Sequence, residues 1–523
     1  MRTALTPLEF ARRARRLYPE REALVDGSLR LTYRQFFDRC DRWSAVLQRW
    51  GVGAGDRVLV IAPNTHALLE QFYAVPQLGA IIVPVNYRLG SEEFRYLIQH
   101  AAPTVVAAHA DYLTLLDPLR PQLPSVRHFV ALEGGAPGWA DYEGLLAAAP
   151  TAFEPAEPGE DEVLSINYTS GTTSRPKGVM ITHRNAWVNC VGTLAHFPLQ
   201  VGERYLWTLP MFHANGWGFV WTVTAAGGTH LCLSKVDAAG VYAQVIRERA
   251  TMLCAAPTVL IGIANGPASE RGQVPRGMRV LTAGAPPAAA TIARIEGELG
   301  WEVTHIYGLT ETAPFILVCE RRPEHAPLGP RERATVKARQ GVELITSGEL
   351  RVVDADMHEV PADGQTLGEI VVRGNVVMLG YYRDPQATAA ALHHGWFHTG
   401  DAAVVHADGY VEIRDRFKDV IISGGENISS IELEGVLLSH PSVQEAAVVG
   451  MPHEKWGETP VAHVVLRPGA SCAAEELRAH CRARLAHFKV PSAVHLVAEL
   501  PKTATGKIQK FILRGGRAAI STQ

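Results

Sequence analysis

Tyr168-Thr169-Ser170-Gly171-Thr172-Thr173-Ser174-Arg175-Pro176-Lys177-Gly178 lies between a largely apolar run at 163–166 and Val179-Met180-Ile181-Thr182. A loop of serines, threonines and glycines with two cations, hung between strand-like runs, offers backbone N–H groups, hydroxyls and positive charge to a phosphate. It is not a Walker A loop, which needs Gly directly before the Lys. Counting from Gly171, that place holds Pro176. Composition alone leaves a plain surface linker as the alternative.

Working outward, the chain has the balance of an ordinary soluble enzyme. At 523 residues it has room for roughly two to four domains with ample core. Its 50 Lys+Arg against 53 Asp+Glu give a formal charge of −3, so neither a basic excess for nucleic acid nor an acidic tail is present. Seven cysteines without a CxxC pair read as reduced thiols in a cytoplasmic protein. The N-terminal segment has arginines but no apolar h-region, and Phe10, Ala11, Ala14 and Leu17 have the spacing of an amphipathic helix. The stretch 205–234 carries no Asp, Glu, Lys or Arg, yet Pro210, His213, Asn215 and glycines interrupt it, which argues against a membrane span. It reads as a wall beside an apolar ligand or as plain core.

Short runs rich in Val and Ile recur at 57–61, 80–85, 104–107 and 128–132, separated by helical stretches of crossover length such as 65–77 and 91–99. That alternation predicts α/β layers with largely parallel sheets. From about Gly341 closely spaced strands follow, at 349–353, 368–372 and 409–413, with Ala362-Asp363-Gly364 and Ala407-Asp408-Gly409 as turns. They predict a small β-barrel or antiparallel sheet. The stretch 134–158, rich in Ala, Pro, Gly and Glu, reads as exposed loop. After the charged break at 414–419 a new α/β pattern begins, with helices near 431–438 and 473–485 and strands near 443–449 and 461–466. Its length suits a separate small domain.

The loop at 168–178, Leu209-Pro-Met-Phe-His213-Ala-Asn-Gly-Trp217, Thr282-Ala-Gly-Ala-Pro286, Tyr307-Gly-Leu-Thr-Glu311-Thr, Trp396-Phe-His-Thr-Gly-Asp401, Arg416-Phe-Lys418-Asp-Val-Ile-Ile-Ser-Gly-Gly425-Glu-Asn and Pro501-Lys-Thr-Ala-Thr-Gly-Lys507 occur in that order. Together they resemble the motif series of the adenylate-forming (ANL) superfamily of acyl-CoA synthetases, nonribosomal adenylation domains and luciferases. The match runs from Leu31-Thr32-Tyr33 to Lys507. It implies an N-terminal AMP-binding domain at 1–415, built of two α/β subdomains plus a small β-barrel. A hinge at 416–418 and a mobile α+β lid at 419–523 follow.

The reaction it implies is attack by a carboxylate on the α-phosphate of ATP, giving an acyl-adenylate and pyrophosphate, after which a thiol displaces AMP. Carboxylate and triphosphate repel, so catalysis is mainly positioning and charge neutralisation. By this resemblance Thr169, Ser170, Gly171, Thr172, Thr173 and Lys177 hold the β- and γ-phosphates, and Glu311, with Thr169 as a weaker contact, anchors Mg²⁺, a hard cation suited to a carboxylate, phosphate oxygens and water. Tyr307 stacks on adenine against Gly284, Ala285 and Pro286, and His305, Gly308 and Thr310 extend the nucleotide site. Asp401 takes both ribose hydroxyls, with Arg416 as an added donor. Lys507, at the end of a flexible loop, bridges the α-phosphate and the substrate carboxylate. Lys418 occupies the hinge position, about which the small domain turns so that Ser423, Gly424 and Gly425 line a thiol channel.

His213, Ala214 and Trp217 resemble the acyl-CoA synthetase branch, bordering the acyl pocket and thiol channel, and no acidic residue stands there to meet an amino group. The uncharged stretch around them suits an apolar acid. Three positions depart from or vary within the pattern: Ser174 stands for the usual Gly, Ala214 lies where relatives vary, and Asn427 stands where some long-chain enzymes carry Trp, which favours short- or medium-chain acids. The expected partners are a small carboxylic acid, ATP and CoA, without nucleic acid or a membrane segment. The oligomeric state is not readable from the residues; many members of the superfamily are dimers, so a homodimer stays open. The competing readings are an acyl-AMP ligase serving a carrier protein, an aryl or other carboxylate–CoA ligase, and a nucleotide-binding protein without chemistry.

Overall fold

Val58 and Val60 pack with Leu68 and Phe72 in one core, while Leu59 and Ile61 pack with Phe94 and Leu97 in another. A strand buried on both faces has no use for polar alternation, which explains the continuous apolar runs. In the computed structural model, which describes residues 1–169, 176–284, 287–417, 419–423, 426–502 and 508–515, these runs form two large sheets. The first, eight-stranded among the described residues, runs Gly380–Tyr381, Lys177–Thr182, Val163–Thr169, Ile81–Val85, Arg57–Ile61, Val105–Ala108, His128–Ala131 and Ala140–Asp141. From Val163–Thr169 onward it is parallel, and the helices His66–Ala74 and Ser91–Ala101 are crossovers. Lys177–Thr182 returns antiparallel on Val163–Thr169 with Thr169 opposite Lys177, so these two residues frame the loop quoted above.

The second sheet is nine-stranded among the described residues. Its parallel centre includes Arg204–Leu206, Met252–Ala255, Arg279–Thr282 and Glu302–Gly308, and Phe315–Val318 adds antiparallel beside the last of these. The uncharged stretch at 205–234 crosses the interior: Tyr205, Trp207 and Trp221 are fully buried, and the Tyr73 hydroxyl, from the other sheet's layer, bonds Thr224 Oγ1 at 2.7 Å. Much of it is therefore core.

Glu349–Val353, Gly368–Arg373, Trp396–Val405, Leu392–His393 and Val411–Arg416 pair as an antiparallel sheet, joined to the nine-stranded sheet's edge region by the Gly341–Val411 bridge. The C-terminal unit has its own sheet of Glu426–Ile428, Ile421–Ser423, Gly457–Leu466, Val443–His453 and Ala493–Leu496, and its own core under the helices Ser430–Leu438 and Ala474–Arg482. Asp415 Oδ2 accepts from the Ser430 amide at 2.8 Å and hydroxyl at 2.5 Å, tying the first helix of this unit to the preceding strand.

The stretch 134–158 is not simply exposed loop. Ala140–Asp141 extends the eight-stranded sheet, and Asp141 caps the helix Tyr142–Ala148. Tyr142 and Leu146 are buried, and the Tyr142 hydroxyl donates to the buried Glu70 at 2.6 Å. An N-cap Asp before an apolar helix face outweighs the Ala/Gly-rich composition. All seven cysteines are buried and unpaired. No described helix is long and apolar enough to cross a membrane.

The two large layers share a charged contact. His66 Nδ1 lies 2.8 Å from Asp26 Oδ2, and Nε2 lies 3.3 Å from Glu143 Oε1. Burial opposes charging of His66, but the hydrogen bonds to Asp26 and Glu143 and the charge of Glu70 outweigh it and raise its pKa to about 10. A value raised on folding stabilises fully below the unfolded pKa of about 6.5, and the contribution is lost as pH rises through the folded value. His66→Gln is therefore expected to be less stable than the parent by a constant margin below about pH 6, the margin shrinking as pH climbs towards about 10. Urea midpoints across that range measure it.

Candidate active site

In open α/β sheets, ligands gather where parallel strands end. Here Val163–Thr169 ends at Thr169, Arg279–Thr282 runs into Gly284, and Glu302–Gly308 ends at Tyr307-Gly308. Gly284 has φ +92° and is exposed, with nothing among the described residues within 4 Å of where a Cβ would stand, so a planar group can approach its backbone. At Gly308 the opposite holds. A Cβ would lie 1.7 Å from the Pro314 carbonyl oxygen, so only glycine lets the chain turn back onto Phe315–Val318.

Tyr307 Oη donates to Asp401 Oδ2 at 2.5 Å, and Arg416 Nε bonds Asp401 Oδ1 at 2.7 Å. Asp401 and Arg416 are direct partners across antiparallel strands, so the sheet register itself makes the pair. Burial, reinforced by the Asp401 charge, pushes the Tyr307 phenol well above its ordinary pKa, and it stays a donor. The Asp401 charge likewise raises Arg416. Each carboxylate oxygen keeps a lone pair for a further hydroxyl. Behind this group Glu369 Oε1 accepts from the Gly400 amide at 2.9 Å, and Thr399 Oγ1 accepts from the Asp401 amide at 3.1 Å.

Glu311 sits on the short turn Thr310–Thr312, where Thr310 is buried, and Lys177–Thr182 packs against that turn. Its backbone carbonyl accepts from the Met378 amide at 2.8 Å. Among the described residues only Tyr381 donates to its carboxylate, at Oε1 and 2.9 Å. Lys177 Nζ lies 4.7 Å from the centroid of the Tyr381 ring. A carboxylate with one oxygen uncommitted among the described residues is the hard oxygen donor that suits Mg²⁺, and Lys177 adds a cation for an anionic group beside it.

His213 is half-buried and opens an unusual turn. Ala214, Asn215, Gly216, Trp217 and Gly218 all have φ between +45° and +80°. Each non-glycine residue there costs about 1 kcal/mol or more. A closed ring of buried hydrogen bonds offsets part of that. Asn167 Nδ2 donates to Asn215 Oδ1 at 3.0 Å, Asn215 Nδ2 to Ser165 Oγ at 2.8 Å, and Ser165 Oγ to Asn167 Oδ1 at 2.9 Å. The Trp217 ring meets Phe315 edge-on at 5.7 Å.

His305 turns its ring elsewhere. Nδ1 lies 3.0 and 2.8 Å from the Ala338 and Arg339 carbonyl oxygens, and burial lowers its pKa to about 4. It faces the packing of 330–339 with its ring, leaving its backbone to the strand. Ser423 pairs with Glu426 and Gly457 on the small sheet. Ser170, Gly171, Thr172, Thr173, Ala285, Pro286, Lys418, Gly424, Gly425 and Lys507 lie outside the described residues. Tyr381, Glu369, Asn167 and Asn215 were not singled out from sequence as site residues. Only Tyr381 carried a signal, an aromatic pair after Gly380, and nothing local said what it would meet.

A model of the AMP-binding enzyme family matches residues 10–382, and one of the AMP-binding enzyme C-terminal domain matches 432–507. The chain belongs to the AMP-binding enzyme family. This AMP-binding enzyme is 41% identical to an acetate–CoA ligase of Humulus lupulus, over 98% of this chain and 94% of that one. It is 40% identical to a 4-hydroxybutyrate–CoA ligase of Metallosphaera sedula, with the same 98% and 94% covered. It also resembles the ATP-bound crystal structure of MatB from Rhodopseudomonas palustris at 27% identity, with a TM-score of 0.85 over 98% of each chain. The chain is thus α/β, with a large N-terminal part and a small C-terminal domain.

Replacing Asp401 by Asn keeps the shape and removes the charge that Arg416 pairs with. Charge-assisted bonds contribute about 1.5–3 kcal/mol, so Asp401→Asn in this AMP-binding enzyme is expected to weaken AMP binding about 10- to 100-fold. Tyr307→Phe should lose less than about 10-fold. Calorimetric titration of both variants with AMP checks the order.

Proposed function

We propose that the protein is an ATP-dependent carboxylate–CoA ligase, an AMP-forming acid–thiol ligase that acts on a short- to medium-chain apolar acid. The observation that carries this reading is the buried Asp401 carboxylate held by Tyr307 and Arg416, on the same rim as Glu311 and Lys177. A ribose acceptor and a cation-and-carboxylate pair along the ends of parallel strands fit a nucleoside triphosphate lying across the crevice. The likeness to acetate– and 4-hydroxybutyrate–CoA ligases supports both the thiol acceptor and a small acid.

In the first half-reaction a carboxylate oxygen of the acid bonds to the α-phosphorus, and the bond from that phosphorus to the bridging oxygen breaks, releasing pyrophosphate. In the second, the CoA thiolate bonds to the acyl carbon and AMP leaves with the electron pair of the acyl–oxygen bond. Asp401 and Arg416 hold the ribose. Tyr307 and Gly284 face the adenine. Lys177, with Thr169 and the loop 170–173, holds the leaving pyrophosphate, while His213, Ala214 and Trp217 border the acid. Glu311 would hold Mg²⁺, which when bound neutralises phosphate charge. Lys507 neutralises the charge where carboxylate meets α-phosphate. Residues 1–415 form the adenylating domain, 416–418 the hinge and 419–523 the lid. A reducing compartment, the cytoplasm in our reading, suits seven buried unpaired thiols.

Pyrophosphate release across a panel of acids from acetate to octanoate, followed by CoA, tests the reading; thioester with none of them overturns it. Lys507→Ala is expected to slow adenylate formation about 10²–10³-fold, as for loss of one preorganised donor, while thioester formation from supplied acyl-adenylate survives. Proline fixes φ, so Lys418→Pro should keep adenylate formation and stop thioester formation. Full turnover in that variant would place the hinge elsewhere.

A further inference from the structure

We propose that Tyr381 is a positioning residue for the metal–triphosphate site, orienting Glu311 through its hydroxyl and Lys177 through its ring. The proposal rests on the roles given above to Glu311 and Lys177. Tyr381 touches both and is itself held on every side. It is 9% exposed, and its amide donates to Thr388 Oγ1 at 2.9 Å. It pairs with Val179 in the strand that leads away from the phosphate loop, and the next residue's amide, Tyr382 N, donates to the Gly178 carbonyl at 2.7 Å. A three-residue segment from Met378 to Gly380 links it to the amide that fixes the Glu311 backbone. Both the main chain and the side chain of Glu311 are thus positioned from one short stretch.

The division of labour follows from geometry. By occupying Oε1 from one side, the phenol selects a single carboxylate orientation and leaves the remaining lone pairs to a cation. Mg²⁺ demands near-ideal octahedral geometry and gives up water reluctantly, so a carboxylate free to rotate binds it less well than a fixed one. Groups that orient a metal-binding carboxylate are typically worth 10- to 100-fold in metal affinity. The ring acts on the other partner. An ammonium over an aromatic face is held without losing its donors, so Lys177 can meet phosphate oxygens while its stem stays in place.

Phe keeps the ring and loses only the hydroxyl, whereas Leu loses both, so the two substitutions separate the roles. The readout is binding without turnover: Mn²⁺ titrated by electron paramagnetic resonance into protein holding α,β-methylene-ATP, with no acid present. Tyr381→Phe is expected to weaken Mn²⁺ about 10-fold or more, and metal-free α,β-methylene-ATP by at least about fivefold less than that. Tyr381→Leu should weaken both. Unchanged Mn²⁺ affinity in Tyr381→Phe, in a variant whose circular dichroism matches the parent, overturns the proposal. Glu311→Gln run alongside tells this apart from failure of the parent reading, because Mn²⁺ affinity retained in Glu311→Gln removes Glu311 from the metal site altogether.

Discussion

Asp401 joins two pieces of structure that share no ladder of hydrogen bonds at that point. Its carboxylate takes the phenol of Tyr307 from the nine-stranded sheet and the guanidinium of Arg416 from the antiparallel one. In a position only 4% exposed, the Asp401 carboxylate cannot rely on water, and its charge is tolerated because Arg416 is beside it. The rest of the site inherits its alignment from that contact. Glu369 and Thr399 hold the amides of Gly400 and Asp401 within the strand Trp396–Val405, and Arg416 ends the last strand before the C-terminal unit.

The anionic and cationic groups are spread along the rim rather than pooled. Asp401 is neutralised by Arg416, and Glu311 is left with a neutral phenol. A site built this way can meet a polyanion at one end and spare a carboxylate for a cation at the other. The turn after His213 is organised by packing and amide hydrogen bonds instead. The left-handed turn at 214–218 is held by Ser165 and Asn167, residues of the very strand that ends at Thr169, so the turn and that strand end share one support.

Much of this was legible in the amino acids. The strands at 57–61 and 349–353 appear where the apolar runs stood; of the C-terminal unit's helices, Ala474–Arg482 has a strong apolar spacing, and Ser430–Leu438 is an apolar run opened by the Ser429 cap. Where composition stood in for pattern the reading failed, as at Tyr142–Ala148. The role of Tyr381 was out of reach for another reason. Its partners Lys177 and Glu311 lie 204 and 70 residues away in sequence, and only the pairing of Gly380–Tyr381 with Lys177–Thr182 brings them together. The turn at 214–218 was equally hidden, since Ala and Trp rarely adopt positive φ and the turn depends on tertiary hydrogen bonds from Ser165 and Asn167.

The two-residue strand Gly380–Tyr381 has a second consequence, which concerns association rather than chemistry. Without it, Lys177–Thr182 would be the border of the eight-stranded sheet, presenting Val179, Met180 and Ile181 with a row of unpaired amides and carbonyls to other molecules. The Leu379 amide donates to Met180 O at 3.0 Å and the Tyr382 amide to Gly178 O, so the cover is short and lies over Val179 and Met180. A substitution that loosened 378–382 would bare a β-prone border in an otherwise folded molecule. The segment that aligns the site therefore also keeps copies of the chain from zipping together through it.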